Sequence, residues 1–197
     1  MTESTPLQLI LASTSVYRRQ LLERLRLPFT VIASAVDEVA LPNERPEQLA
    51  CRLALAKARA VATKHPASVV IGSDQVADLN GHALGKPGTH ARAVAQLQRM
   101  RGETVIFQTA VAVVCQATGF AQTELAQVKV QFKSLTDAQI ESYLMAERPY
   151  DCAGSAKSEG LGIALLARID NDDPTALIGL PLIRTCQLLE AAGLKVL

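Results

Sequence analysis

Leu9-Ile10-Leu11-Ala12-Ser13-Thr14-Ser15-Val16-Tyr17-Arg18-Arg19 is an apolar run that stops at three hydroxyl residues and passes into two arginines. The run does not alternate, as befits a strand covered on both faces, and Leu21, Leu22 and Leu25 then recur at helical spacing. The stretch reads as a buried strand, a turn and a helix capped by Ser15. Small polar residues at such a junction aim backbone N–H groups and the positive end of the helix dipole at one point, which suits an anion. Arg18 and Arg19 are cations at the wrong end of that dipole unless something negative lies above them, and a polyphosphate supplies it through bidentate contacts. A solvated arginine pair on an amphipathic helix is the alternative, and for two arginines taken alone it is the better one.

Outward from this stretch the pattern stays α/β. Pro28 marks a break, Phe29 to Ile32 reads as a second strand, and the polar loop from Ser34 to Asn43 carries Asp37 and Glu38 side by side. Pro46 suits the first turn of a helix reaching about Lys64, with Leu49, Leu53, Ala56 and Ala60 on one face. Lys57 sits at the edge of that stripe, where a lysine either snorkels outward, the commoner outcome, or meets a buried anion. Val69 to Ser73 is another unalternating strand, followed at once by Asp74 and Gln75. A carboxylate at the carboxyl end of a strand stands where open α/β sheets bind ligands, although a strand-ending Asp in a turn reads the same way.

Asn80-Gly81 is a two-residue hairpin signal. It sets Leu79 against His82 and Gln75 opposite Lys86, folding Lys86 back towards Asp74. Gly81 to Lys86 is no P-loop, since Pro87 stands where a hydroxyl residue is required. Thr89 caps a helix to about Met100, ended by Gly102. Strands follow over Thr104 to Cys115 and Glu124 to Lys133, joined through Ala117-Thr118-Gly119, and the second alternates as a half-exposed strand does. Thr136 to Gln139 is a capping box with Leu135 and Ile140 as its staple, and that helix ends before Pro149. Cys152 to Gly162 is a glycine-rich loop holding Lys157 and Glu159. Asp170 to Pro174 lacks calcium-loop spacing and reads as a solvated turn or helix start. A last helix runs from about Leu182 to Ala192.

The 197 residues suffice for a single domain with a sizeable core, and 49% hydrophobic with 20% charged residues is ordinary globular composition. Twenty Lys+Arg against nineteen Asp+Glu leave a net charge of +1, so no global basic field exists for a nucleic acid polymer and any anion must be bound locally. Three Tyr and four Phe offer little for stacking along a strand of RNA. Cys51, Cys115, Cys152 and Cys186 are far apart and form no C-x-x-C pair, which gives zinc and redox chemistry no support. Met1 to Pro6 lacks the charge of a signal peptide and no stretch is long enough to span a bilayer, so a cytoplasmic location is expected.

The Ser/Arg turn, the Asp37-Glu38 loop, Asp74 with Lys86, and Lys57 together suggest metal-assisted phosphate chemistry. Carboxylates hold Mg2+ or Mn2+, cations neutralise phosphoryl oxygens, and a base or the metal activates water. Leu11-Ala12-Ser13-Thr14-Ser15 with Arg18-Arg19, Val36-Asp37-Glu38, Ala56-Lys57-Ala58, Ile71-Gly72-Ser73-Asp74-Gln75-Val76, Gly85-Lys86-Pro87, Ala153-Gly154-Ser155 and Gly179-Leu180-Pro181 resemble, in order and over nearly the whole chain, the Maf nucleoside triphosphate pyrophosphatases. The resemblance implies one domain over 1–197. Its fold is α/β, a mixed elongated sheet flanked by helices with a nucleotide cleft between two lobes, related to the inosine triphosphate pyrophosphatases. The implied reaction cleaves between the α and β phosphates.

By position, the resemblance makes Asp74 the proton acceptor, Glu38 with Asp74 the metal-side carboxylates, and Ser13, Ser15, Arg18, Arg19, Lys57 and Lys86 phosphate-handling residues. Val16 departs from the family's usual proline and restores a backbone donor at the helix start. Tyr17, Gln75 and Glu159 are similar to the subgroup that removes 7-methyl-GTP as a modified nucleotide, where the dTTP/UTP subgroup carries an arginine for Tyr17. An aromatic face suits the delocalised positive charge of 7-methylguanine and a carboxylate accepts its ring N–H groups, although Tyr17 alone reads equally well as packing on the core edge. The expected partner is thus a small nucleotide, with a homodimer compatible. A dTTP/UTP pyrophosphatase and a non-catalytic nucleotide-binding regulator are the alternatives.

Overall fold

The structure is a computed structural model that describes residues 7–197, so the reading of Met1 to Pro6 lies outside it. The elements follow the chain as β1 (Leu9–Leu11), α1 (Val16–Glu23), β2 (Phe29–Val31), α2 (Pro46–Ala62), β3 (Val69–Leu79), β4 (His82–Leu84), α3 (His90–Met100), β5 (Thr104–Cys115), β6 (Phe120–Phe132), α4 (Asp137–Glu147), β7 (Leu166–Asp170) and α5 (Leu182–Ala191). They form the expected mixed α/β sheet flanked by helices, in the order β2-β1-β3-β5-β6-β7 with β4 also on β3. β1 is parallel to β2 and β3, and the remaining ladders are antiparallel.

The sheet carries separate cores along its length. Around β1 and the first half of β3, one face packs Ile10, Val70 and Ala112 under α2, and the other packs Leu11, Ile71 and Val113 under α1 and α5. Beyond the middle, Ala77, Phe107 and Val130 belong to a third core closed by Leu97 of α3 and Leu144 of α4. These two ends of the sheet are the two lobes.

β3 is where the lobes meet. One edge is paired with β5 from Val70 to Asp78. On the other edge β1 pairs only from Val69 to Ile71, and β4 only from Ala77 to Leu79. Gly72 to Val76 therefore have no strand on that side. The Ile71 carbonyl accepts from Ala12 N (2.7 Å) towards β1, so by strand alternation the backbone groups of Ser73 and Gln75 open into the same interval.

Several expectations are corrected here. Asp74 does not end its strand: continuous pairing with β5 and the Asn80-Gly81 hairpin carry β3 on to Leu79. The hairpin register Leu79↔His82 holds, yet pairing stops at Ala77↔Leu84, so Gln75 never faces Lys86 across a ladder. Pro87, two residues beyond Gly85, has no N–H to extend it. β6 starts at Phe120 rather than Glu124, and Leu166–Asp170 forms a further strand, β7, just before the acidic turn. Asp173 is fully buried rather than solvated, accepting from Thr175 Oγ1 at 3.2 Å and Arg184 N at 3.2 Å.

Candidate active site

The turn after β1 is built by its own hydroxyls. Ser13 Oγ accepts from Ser15 N at 3.1 Å, and Ser15 Oγ caps α1 by accepting from Arg18 N at 3.4 Å. These bonds fix the turn with Val16 in place of a proline; Val16 itself is exposed at the first helical position. The turn opens into a cleft of about 1260 Å³ over the unpaired interval of β3. Ser13, Ser15, Tyr17, Arg18, Glu38, Lys57, Asp74, Gln75, Lys86 and Glu159 all line it.

At its floor Lys57 joins two carboxylates. Lys57 Nζ lies 2.7 Å from Asp74 Oδ1 and 2.5 Å from Glu38 Oε1, and the lysine is only 5% exposed. It does not snorkel, because α2 crosses β3 too closely. A Cβ on Gly72 would stand 2.2 Å from the Ala54 carbonyl oxygen and 2.6 Å from Ala58 N. That approach points the next helical residue on this face, Lys57, at the next strand residue of matching side, Asp74. Asp74 Oδ2 has no protein hydrogen bond and is left to the cleft.

Arg18 donates from Nε to the Gly179 carbonyl at 2.9 Å. Burial lowers its pKa, opposed by the fields of Asp74 and Glu38. Glu38 reaches in from the 33–43 loop; burial raises its pKa, but Lys57 first, then Lys86 and Arg18, outweigh that and hold it below the usual carboxylate range. The ammonium that reaches Asp74 is thus Lys57, while Lys86 is exposed and acts on Glu38 from across the cleft. Arg19 is not brought to the cleft: it points to solvent and pairs with Glu23 one turn on, at 2.9 Å. Asp37 is exposed and caps Val39 N at 3.1 Å.

The far wall is a turn over 173–180, gripped from the sheet. Ser73 Oγ donates to the Gly179 carbonyl (3.0 Å) and Thr109 Oγ1 to the Ala176 carbonyl (3.0 Å). Gln75 Nε2 lies within 3.0 Å of Thr109 Oγ1 and of the Ala176 and Leu177 carbonyls, so its nitrogen is spent on the wall and its oxygen has no protein partner. Asp173, with Arg184 of α5, anchors the same turn. Sequence reading misses the roles of Ser73, Thr109 and Asp173: the first two are small polar residues inside apolar strands, and the third is one acid of the run that follows β7.

The mouth is formed by α1 and the 151–162 loop. Tyr17 is half-buried, and desolvation first, then Cys152 and Asp151, push its phenol up to about 12. Burial likewise raises the Cys152 thiol to about 12, which leaves it a weak nucleophile. Glu159 is exposed at the rim.

Among the described residues no group of three or more His, Cys, Asp or Glu could hold a metal ion. Glu38 and Asp74 still fit a hard divalent cation, since Mg2+ is commonly held by one or two carboxylates with substrate phosphates and water supplying the rest. The arrangement offers acceptor oxygens beside three cations, on a floor open to a bound polyphosphate.

A protein named 7-methyl-GTP pyrophosphatase from Albidiferax ferrireducens is 72% identical over 197 residues, covering 100% of this chain and 99% of its own. Another of that name, from Aromatoleum aromaticum, is 60% identical and covers 95% of this chain and 96% of its own. Among solved structures, the Ham1 protein of Staphylococcus aureus aligns with a TM-score of 0.48 at 15% identity, over 64% of this chain and 72% of that one. The family model described as Maf-like protein matches residues 8–192, and with nearly the whole length covered, the chain belongs to the Maf-like family.

Proposed function

We propose that this chain hydrolyses 7-methyl-GTP to 7-methyl-GMP and pyrophosphate in the cytoplasm, with Mg2+ or Mn2+. The observation that carries the reading is the buried pair of Asp74 and Lys57, closed by Glu38 from the open side of the cleft, on the one interval of β3 left without a strand. The close relatives bear the matching name, and all four cysteines are free, as in a reducing compartment.

The chemistry follows from the placement. Arg18 and Lys86 take phosphoryl oxygens, and the Ser13–Ser15 turn presents backbone donors at the start of α1. Lys57 occupies Oδ1 of Asp74 and leaves Oδ2 to accept a proton from the attacking water. A divalent cation held by Glu38 and Asp74 supplies further neutralisation of phosphoryl charge when bound. Tyr17 offers an aromatic face, and Glu159 a carboxylate, to the cationic base.

A panel of 7-methyl-GTP, GTP, dTTP and UTP, assayed for pyrophosphate with wild type and Asp74→Asn, tests this. The expected result is preference for 7-methyl-GTP and a fall in kcat on the order of a hundredfold or more for the variant. A pyrimidine winner would overturn the substrate, and unchanged turnover by Asp74→Asn would overturn the base.

A further inference from the structure

β3 gives two consecutive residues to the two sides of the site. Asp74 faces α2 and Lys57, whereas Ser73, one position earlier, shares the face of Ile71 under α1 and α5. Ser73 is fully buried, and its Oγ donates to the Gly179 carbonyl at 3.0 Å. The same carbonyl accepts from Arg18 Nε at 2.9 Å, so one oxygen holds the serine and the arginine together. Gly179 stands at a φ of 130°, which L side chains rarely adopt, and the turn that presents this oxygen is therefore built for glycine. Among the described residues the guanidinium makes no other hydrogen bond, and its Nη groups remain for a ligand in the cleft that Arg18 lines.

We propose that Ser73 is a positioning residue, which holds the Arg18 guanidinium in place through the Gly179 carbonyl. The proposal rests on the reading of the cleft as a nucleoside triphosphate site. A guanidinium fixed at Nε keeps its Nη donors for bidentate contact with a phosphate. Asp74 and Glu38 pull on the same group, and their fields already reach it. An arginine that swung onto Asp74 would pair with Oδ2, the oxygen left to accept a proton from water. The carbonyl opposes that motion, and Ser73 ties the carbonyl to the very strand that carries Asp74. Base and guanidinium are thus fixed relative to one rigid element, and a misplacement of about 1 Å in such a group costs on the order of a hundredfold in rate.

The test is a double-mutant cycle. Ser73→Ala and Ser73→Cys are each made in wild type and in Arg18→Ala. The readouts are kcat/KM for 7-methyl-GTP and the Kd of inorganic triphosphate by calorimetry, at one Mg2+ concentration. Cysteine fills the space of the serine but donates weakly, which separates the hydrogen bond from packing. Neither serine variant orphans the Gly179 carbonyl, since Arg18 still donates to it. In wild type each is expected to lose roughly tenfold in kcat/KM and in triphosphate affinity. In Arg18→Ala, with no guanidinium left to place, the same substitutions should cost less than about twofold. Equal losses in the two backgrounds would mean a role in the fold or on Asp74 and overturn the proposal, as does wild-type behaviour of either serine variant. A wild type that releases no pyrophosphate from 7-methyl-GTP overturns the substrate reading, while the triphosphate cycle still decides whether Ser73 acts through Arg18.

Discussion

Lys57 and Asp74, seventeen positions apart on α2 and β3, meet as a buried ion pair at 2.7 Å with Glu38 closing the other side of the ammonium. One lysine thus sets the geometry of both carboxylates. Lys57→Met is expected to destabilise the fold by about 3 kcal/mol, because it leaves Asp74 buried without a cation, and to abolish turnover. Urea unfolding beside a pyrophosphate assay measures both. Full stability with lost activity would mean that the pair serves chemistry alone.

Gly72→Ala tests how that pair is made. A methyl group at this position runs into the α2 backbone, which cannot rotate away as a side chain would. The expected loss is ~2–3 kcal/mol, read as a lower Tm by calorimetry, with activity falling further than stability because α2 carries Lys57.

Arg18 and Arg19 are adjacent but should behave as opposites. Arg18→Ala removes the guanidinium that is held by the Gly179 carbonyl, and kcat/KM should fall on the order of a hundredfold. Arg19→Ala breaks a solvent-exposed pair with Glu23, so its activity should match wild type and its stability change should stay within about 0.5 kcal/mol. Equal losses in the two variants would place Arg19 in the site.

Lys157 first, and the Leu161 N–H with it, hold the Glu147 carboxyl below its ordinary pKa. A carboxylate whose pKa is depressed on folding stabilises above its unfolded value and loses that contribution as pH falls through its folded value. The stability difference between wild type and Glu147→Gln should therefore be constant near neutrality and shrink below about pH 4.5, the ordinary glutamate value. Chemical denaturation across pH 3 to 7, roughly the window set by carboxylate titration, checks the sign.

Chelation separates the cation's role from the fold's. EDTA should abolish pyrophosphate release, and Mg2+ or Mn2+ should restore it, while the Tm of the free protein should not move. The protein's own Lys57 pairs with both Glu38 and Asp74. A Tm that drops on chelation would point instead to a structural ion.

Much of this was legible in the residues. The strand, turn and helix around Ser13 follow from apolar run, hydroxyl cap and leucine spacing, and the Thr136 capping box and Asn80-Gly81 turn form where their local chemistry puts them. The division of labour between the two arginines was also there to be read. Arg18 stands three, four and seven positions before Leu21, Leu22 and Leu25, on the buried side of the helix, whereas Arg19 is turned about 100° away. What could not be read locally depends on elements meeting. Lys57 finds Asp74 only because α2 lies on Gly72. Asp173 looks like one acid in a solvated run until α5 folds Arg184 back upon it. Gln75 reads as a base-facing residue, yet its nitrogen is bound by carbonyls from a turn a hundred residues on.

The interval in β3 also says how the cleft can change width. No linker joins the lobes at this point; β3, β5 and β6 run unbroken from one to the other. Closing on a ligand must therefore bend and twist three hydrogen-bonded strands together, so the mouth behaves as a leaf spring with an elastic resting position. A ligand that gripped both lobes would have to work against that stiffness.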